Sequence, residues 1–299
     1  MDVLDKLLAF SQISAGLNVK CQLQGKWQLD NPYQDRQAVA HIVSQGSAYL
    51  YHNGETIRLN QGDIVFFPKS ADHTLRSQIE PVSVKTVINQ AELGGFTLVQ
   101  SGNTQSECDL FCLHFHYDSQ ADLMDNLPEM LIFKATETPL NAILSLLRQE
   151  GDDPGFASKS VVNSLALVIL TMIFRQYLTH HERETVGVLK AWQDTRLRPL
   201  MRKILLNPEL SWQIEEMAAI IHLSRSQLIR LFNKNLGVSP HAFVHKIRLQ
   251  KAAMLLKSQP DSVLSIALAC GFQSEPHFIT AFKKAYGETP SQYRQSKMG

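Results

Sequence analysis

Residues 214–243 of this 299-residue chain recur fifty positions later as residues 264–293. Ala219 falls on Ala269, Ser224 on Ser274, Leu228 on Phe278, Phe232 on Phe282, Lys234 on Lys284, Gly237 on Gly287, Ser239 on Thr289, Pro240 on Pro290 and Phe243 on Tyr293. Self-similarity of this length marks a duplicated supersecondary unit. In each copy an apolar segment (214–221 or 263–269) leads through a short turn to a serine suited to cap a second helix. That is helix-turn-helix spacing. The second helix has its stop signal at Gly237 or Gly287, where a left-handed residue is tolerated, and Ser239-Pro240 or Thr289-Pro290 then starts another helix with proline in its first turn.

Between the copies, residues 241–256 read as one helix, with Phe243, Ile247, Leu249, Ala253 and Leu256 apolar and Lys246, Arg248 and Lys251 facing out. Such a helix holds the two units at a fixed separation. At roughly 34 Å, one turn of duplex, both second helices enter successive major-groove segments. The charge distribution agrees. The formal net charge is only +1, but from Lys190 onward there are 16 Lys and Arg against 7 Asp and Glu, a local net of +9. The preceding 189 residues hold 13 basic and 21 acidic side chains, a net of −8, so the two halves meet different partners.

The run Cys270-Gly271-Phe272-Gln273-Ser274, followed by Phe278, Phe282-Lys283-Lys284, Gly287, Thr289-Pro290 and Tyr293-Arg294, resembles the signature of the AraC/XylS family of regulators. The resemblance implies contact with double-stranded promoter DNA through Arg225, Ser226, Ile229 and Arg230 of the first recognition helix, and Glu275, Pro276, His277 and Thr280 of the second. Arg230 is the best candidate for base readout, since a guanidinium bridges O6 and N7 of guanine. Lys234, Lys283, Lys284 and Arg294 are candidates for phosphate contact. His222 departs from the family, which often has glycine near this turn.

The acidic half breaks, between Trp27 and Val99, into short alternating runs at 39–43, 48–51, 56–59, 64–67 and 82–88, a pattern that predicts a small antiparallel barrel. The segment from Gly62 through Pro68 to His73 resembles the second cupin motif, with Ser70 in place of the usual glycine. The first motif of metal-binding cupins would fall near residues 33–39, where there is neither histidine nor glutamate. This removes the ordinary cupin metal site and most of the case for an enzyme; no cofactor is expected. Period-2 alternation in the run from Cys108 to Tyr117 places Cys112, His114 and His116 on one strand face. With His41, His73 or Cys108 as a fourth ligand, that ladder has zinc-binding chemistry. The favoured reading is that these groups line a cavity or face solvent.

Cys21 follows Lys20, whose charge would lower a thiol pKa at an exposed site; the alternative is a buried small hydrophobe, the commoner fate of a free cysteine. The run 21–29, together with the Cys108/Cys112 strand, resembles a branch of cupin-bearing AraC-type activators that respond to reactive chlorine. The resemblance implies redox roles for Cys21 and for Cys112 or Cys108. A small-molecule or metal effector in the barrel is the alternative. Cys270 falls on Ile220 in the repeat and is expected in the core.

Residues 139–149 and 156–178 predict two amphipathic helices joined by the turn-rich stretch 150–155, the second apolar almost all round and therefore covered on more than one side. Packing on the barrel and on a second subunit would supply both covers, so a homodimer is expected. The most apolar stretch, 161–174, is shorter than the ~20 residues of a membrane span, and the first ten residues lack the basic start of a signal peptide. The expectation is a cytoplasmic α+β protein with no membrane association. Its parts are a cupin-like sensor barrel (1–118), a helical dimerisation segment (119–180), a linker (181–192) and a double helix-turn-helix domain (193–299) working with RNA polymerase.

Overall fold

The computed structural model describes residues 3–82, 88–102, 105–135, 139–180 and 187–298. Two compact units emerge, and neither is a continuous stretch of chain. One holds Ile13–Tyr117 and Pro128–Thr179; the other holds Met1–Gln12, Asp118–Leu127 and His180–Gly299. The residues expected to form the barrel and the helical segment are thus shared out: the first twelve, helix α1 (Val3–Phe10) among them, and 118–127 fall with the C-terminal helices.

The first unit is built from β1 (Ser14–Leu23), β2 (Gln28–Asn31), β3 (Gln37–Gln45), β4 (Ser47–His52), β5 (Glu55–Asn60), β6 (Asp63–Phe67), β7 (His73–Arg76), β8 (Asn89–Leu93), β9 (Phe96–Ser101), β10 (Cys108–His116) and β11 (Leu131–Lys134). One sheet runs β11-β6-β3-β10-β1-β9-β8 and the other β2-β7-β4-β5. The pairing is antiparallel, as the alternating runs predict, except that β9 joins β1 in parallel. The expected run 82–88 lies in its centre outside the described residues. Apolar side chains from both sheets, among them Leu23, Trp27, Val43, Leu50, Val65, Phe67, Leu75 and Leu110, meet in one core that also contains Cys21, Cys108 and Cys112.

All five residues of β6 are buried, so that strand is covered on both faces. One cover is helical. After α2 (Asp122–Asp125) and β11, helix α3 (Leu140–Asp152) runs three residues into the stretch expected to be a turn, and α4 (Ser158–His180) extends to 23 residues. The ring of Phe174 on α4 meets that of Phe66 edge-on at 6.4 Å, and Asn18 donates to Asn163 at 2.8 Å. By length and composition α4 could cross a membrane, but Val162, Ala166, Ile169, Leu170, Ile173 and Tyr177 are buried in this unit.

In the second unit, α5 (Gly187–Gln193) occupies residues expected to be linker, while 181–186 lie outside the described residues. Next come α6 (Arg198–Leu206), α7 (Ile214–Ile220), α8 (Arg225–Leu236), α9 (Pro240–Ser258), α10 (Val263–Ala269), α11 (Glu275–Tyr286) and α12 (Pro290–Met298). The duplicated boundaries have the expected chemistry: Gly237 and Gly287 end α8 and α11 at φ +70° and +79°. Ser224 forms a reciprocal capping box with Gln227. Ser274 makes no side-chain cap, and Pro276, in the first turn of that helix, has no N–H to offer. Cys270 is fully buried with Phe272, Phe278, Phe282 and Tyr293, and burial pushes its thiol up to about 12.

Candidate functional site

Helices α8 and α11 each bury one stripe, Leu228, Leu231 and Phe232 on the first and Phe278 and Phe282 on the second. The opposite stripes are open. Arg225, Ser226, Ile229, Arg230 and Lys234 are exposed on α8; Pro276, His277, Thr280, Lys283 and Lys284 are exposed on α11, with Glu275 half-buried. Arg225 pairs with Glu215 at 2.9 Å, whereas Arg230 and Lys234 border a groove of about 270 Å³ together with Arg196 and Gln227. Arg294 is the exception among the expected phosphate ligands. Its guanidinium donates to the Asp261 carbonyl, fastening α12 to the start of α10.

The helix between the two helix-turn-helix units, α9, is fastened to the loop before α7. Arg248 donates to the Pro208 and Leu210 carbonyls at 2.7 and 2.8 Å, and Lys251 pairs with Glu209 at 2.7 Å. These two side chains, expected to face out, are structural ties. Between the units lies a cleft of about 650 Å³ bordered by Trp212, His241, His245, Arg248, Phe272 and His277. Burial, followed by the neighbouring His277, holds the His245 imidazole below its ordinary pKa.

In the barrel, Cys112 lies opposite Val19 and Cys21 opposite Leu110, so the two cysteines are diagonal neighbours on paired strands. Cys21 is 2% exposed. A hydrogen bond to Cys112, followed by burial, holds its thiol well above the ordinary range. Lys20 does not activate it, because adjacent strand residues point to opposite faces. The ammonium instead reaches Asp152 at 2.5 Å and the Gly151 carbonyl at 2.8 Å. Cys108 sits farther along the same core, its thiol pushed by burial up to about 12.

Cys112 also meets a histidine pair. Its Sγ lies 3.0 Å from His41 Nδ1, His41 Nε2 lies 2.7 Å from His73 Nε2, and His73 Nδ1 lies 2.6 Å from the Ala71 carbonyl. A carbonyl only accepts, so His73 carries its proton on Nδ1 and accepts on Nε2; His41 then donates from Nε2 and accepts from the Cys112 thiol. Burial lowers both imidazoles, His41 to about 4 and His73 to about 3. Both ring nitrogens of each histidine are therefore engaged, and no donors converge on a common point. Among the described residues no group of three His, Cys, Asp or Glu side chains is placed to hold a metal ion. His114 shares a cavity wall with Cys112, and His116 is exposed at the strand end. That cavity, about 500 Å³, is bordered by Cys21 and Cys112, by Val19, Leu29, Val82, Ile88 and Val99, and by polar Gln28, Asp30, Asn31 and Gln90.

Residues 217–296 match a helix-turn-helix domain model and residues 2–179 a cupin model. The chain is 44% identical over 299 residues to the HTH-type transcriptional regulator MtrA of Neisseria gonorrhoeae, covering 99% of this chain and 98% of that one. The chain belongs to the AraC family of transcriptional regulators. An uncharacterized HTH-type regulator of Haemophilus influenzae is 37% identical over 99% of both chains. The RCS-specific HTH-type transcriptional activator RclR of Escherichia coli is 25% identical over 99% of this chain and 98% of its own. The helix-turn-helix pair is thus the regulator's DNA-binding part. In the sequence His41 stands only as one of three alternatives for a fourth zinc ligand; strand pairing sets it opposite Cys112, as the hydrogen-bond partner of that thiol.

Proposed function

We propose that this regulator is a sequence-specific transcriptional activator whose barrel senses an oxidant such as reactive chlorine through Cys21 and Cys112. The observation that carries this reading is the pair of adjacent thiols bordering a cavity. Hypochlorous acid transfers Cl⁺ to one thiol, giving a sulfenyl chloride and water; the second thiol displaces chloride and loses its proton, leaving a disulfide and HCl. The barrel site is a sensor, with no enzymatic turnover. Cys108, buried beside Cys21, is the reserve partner.

On the DNA side, Arg230 reads a base, and Lys234, Lys283 and Lys284 bind phosphate. The regulator acts as a cytoplasmic homodimer with RNA polymerase as its partner; the exposed apolar side of α4, with Val161, Leu167 and Val168, supplies the dimer face. In cells, Cys21→Ala abolishes induction by hypochlorous acid while operator affinity of the purified variant stays within about twofold. Unchanged induction overturns the oxidant reading. The second reading, a small molecule held in the barrel, is favoured by the apolar side chains around that same cavity. A ligand-dependent rise in melting temperature that survives Cys21→Ala would establish it.

A further inference from the structure

Two pieces of chain outside the helix-turn-helix repeat are built into the helical unit. Helix α1 buries Val3, Leu4, Leu7 and Phe10 and touches α6 and α9, while Ala121, Leu123, Met124 and Leu127 are buried where α2 meets α5. Where the two pieces meet, the Asp118 amide donates to the Ser11 carbonyl at 2.9 Å and Gln12 Nε2 donates to Asp118 Oδ2 at 3.1 Å.

Asp118 is 6% exposed, and its carboxylate is crowded with donors. Tyr286 donates to Oδ1 at 3.1 Å, beside the Gln120 amide at 2.9 Å, and Tyr293 donates to Oδ2 at 2.9 Å. Gln120 continues the grip: its side chain donates to the Ala285 carbonyl at 2.8 Å, and its own carbonyl accepts from Gln250. One short segment therefore holds the C-terminal turn of α11 together with α9 and α12. The two tyrosine rings pack on Phe282, with centroids at 4.4 and 5.3 Å.

The repeat shows that these hydroxyls are not needed to build a helix-turn-helix. Fifty residues earlier, the equivalents of Tyr286 and Tyr293 are Leu236 and Phe243, which have no hydroxyl to offer a carboxylate. The second copy alone carries the polar pair, and a buried carboxylate has to be matched by its donors. Its place in the chain is equally particular. Asp118 follows the last residue of β10 by two, Gln12 precedes the first of β1 by two, and the ends of these strands pair as Ser14 with His116.

We propose that Asp118, supported by Gln12, is a positioning residue for DNA recognition: it sets the C-terminal end of α11 and links that helix through the backbone to the β1–β10 pair. The link to the strand pair rests on the sensing reading above, since those strands carry Cys21 and Cys112; the positioning role does not. The test uses the full-length chain, an operator selected by it from random duplexes, and base-by-base affinity. The variants are Asp118→Asn and Tyr286→Phe with Tyr293→Phe, the latter keeping the aromatic packing. His277→Ala marks the part of the operator read by α11, and Arg230→Ala the part read by α8. Discrimination falls about tenfold in the α11 part and stays unchanged in the α8 part. Equal loss in both parts, as from general destabilisation, or no loss in either, overturns the proposal. Where the wild type responds to hypochlorous acid in transcription, both variants lose that response. A wild type without a response defeats the sensing reading alone, and the base scan still decides the positioning role.

Discussion

Gly271, in the second helix-turn-helix, takes φ +86°, and a Cβ there would come within 2.5 Å of the Glu209 carbonyl oxygen. Left-handed backbone and a backbone clash act together, so Gly271→Ala costs about 2 kcal/mol or more in urea unfolding. A variant as stable as wild type contradicts this account of the turn. The first copy places its left-handed residue one position later in the repeat, at His222 with φ +54°, a conformation histidine enters more readily than most side chains but less freely than glycine. Reactivity was harder to read from neighbours in sequence. Lys20 and Cys21 are adjacent in the chain but on opposite strand faces, so the charge that would sharpen an exposed thiol is held by Asp152, and Cys21 is buried. The buried histidines give a pH dependence. Their folded-state pKa values lie below the ordinary 6.5, at about 4 for His41 and His114 and about 3 for His73. Their contribution to stability is full above 6.5 and is lost as pH falls toward those values. Replacing His41 by phenylalanine flattens the fall in melting temperature between pH 6.5 and 4; an unaltered slope contradicts the assignment.

At the scale of elements, the repeat made nearly every boundary from α7 to α12 legible, because caps and stops are local chemistry. The two copies also differ in their helix caps, which sequence matching hides. Ser224 accepts from the Gln227 amide at 3.3 Å, while Ser274 makes no side-chain cap. Ser224→Ala therefore costs about 1 kcal/mol of stability, and Ser274→Ala less than half of that. Equal costs in chemical denaturation would refute the difference. Strands β3 to β6 and β10 were legible as alternating runs, but β1, β2, β7, β8, β9 and β11 were not, nor was the parallel pairing of β1 with β9, since register depends on partners far away in the chain. The same limit applies to the string from Cys112 through His41 to His73. Its members are 71 and 32 residues apart, and only sheet pairing joins them.

For the molecule as a whole, sequence order and compact units do not coincide. Charge and periodicity separate an acidic barrel from a basic helical third, yet residues 1–12 and 118–127 belong with the helices. No composition signal marks this, because the apolar residues of both pieces would suit a place against the barrel equally well. The uncovered side of α4 belongs to this scale too: Leu167→Glu with Val168→Glu converts the proposed dimer to monomer in sedimentation, and an unchanged sedimentation coefficient places the dimer face elsewhere. The central claim, that the barrel reads its signal through two adjoining thiols, is tested most directly by peptide-mapping mass spectrometry of the reduced full-length protein after one equivalent of hypochlorous acid. The account predicts a Cys21–Cys112 disulfide as the dominant product, with Cys270 unmodified. Oxidation scattered over all four cysteines, or none at Cys21 and Cys112, would contradict it.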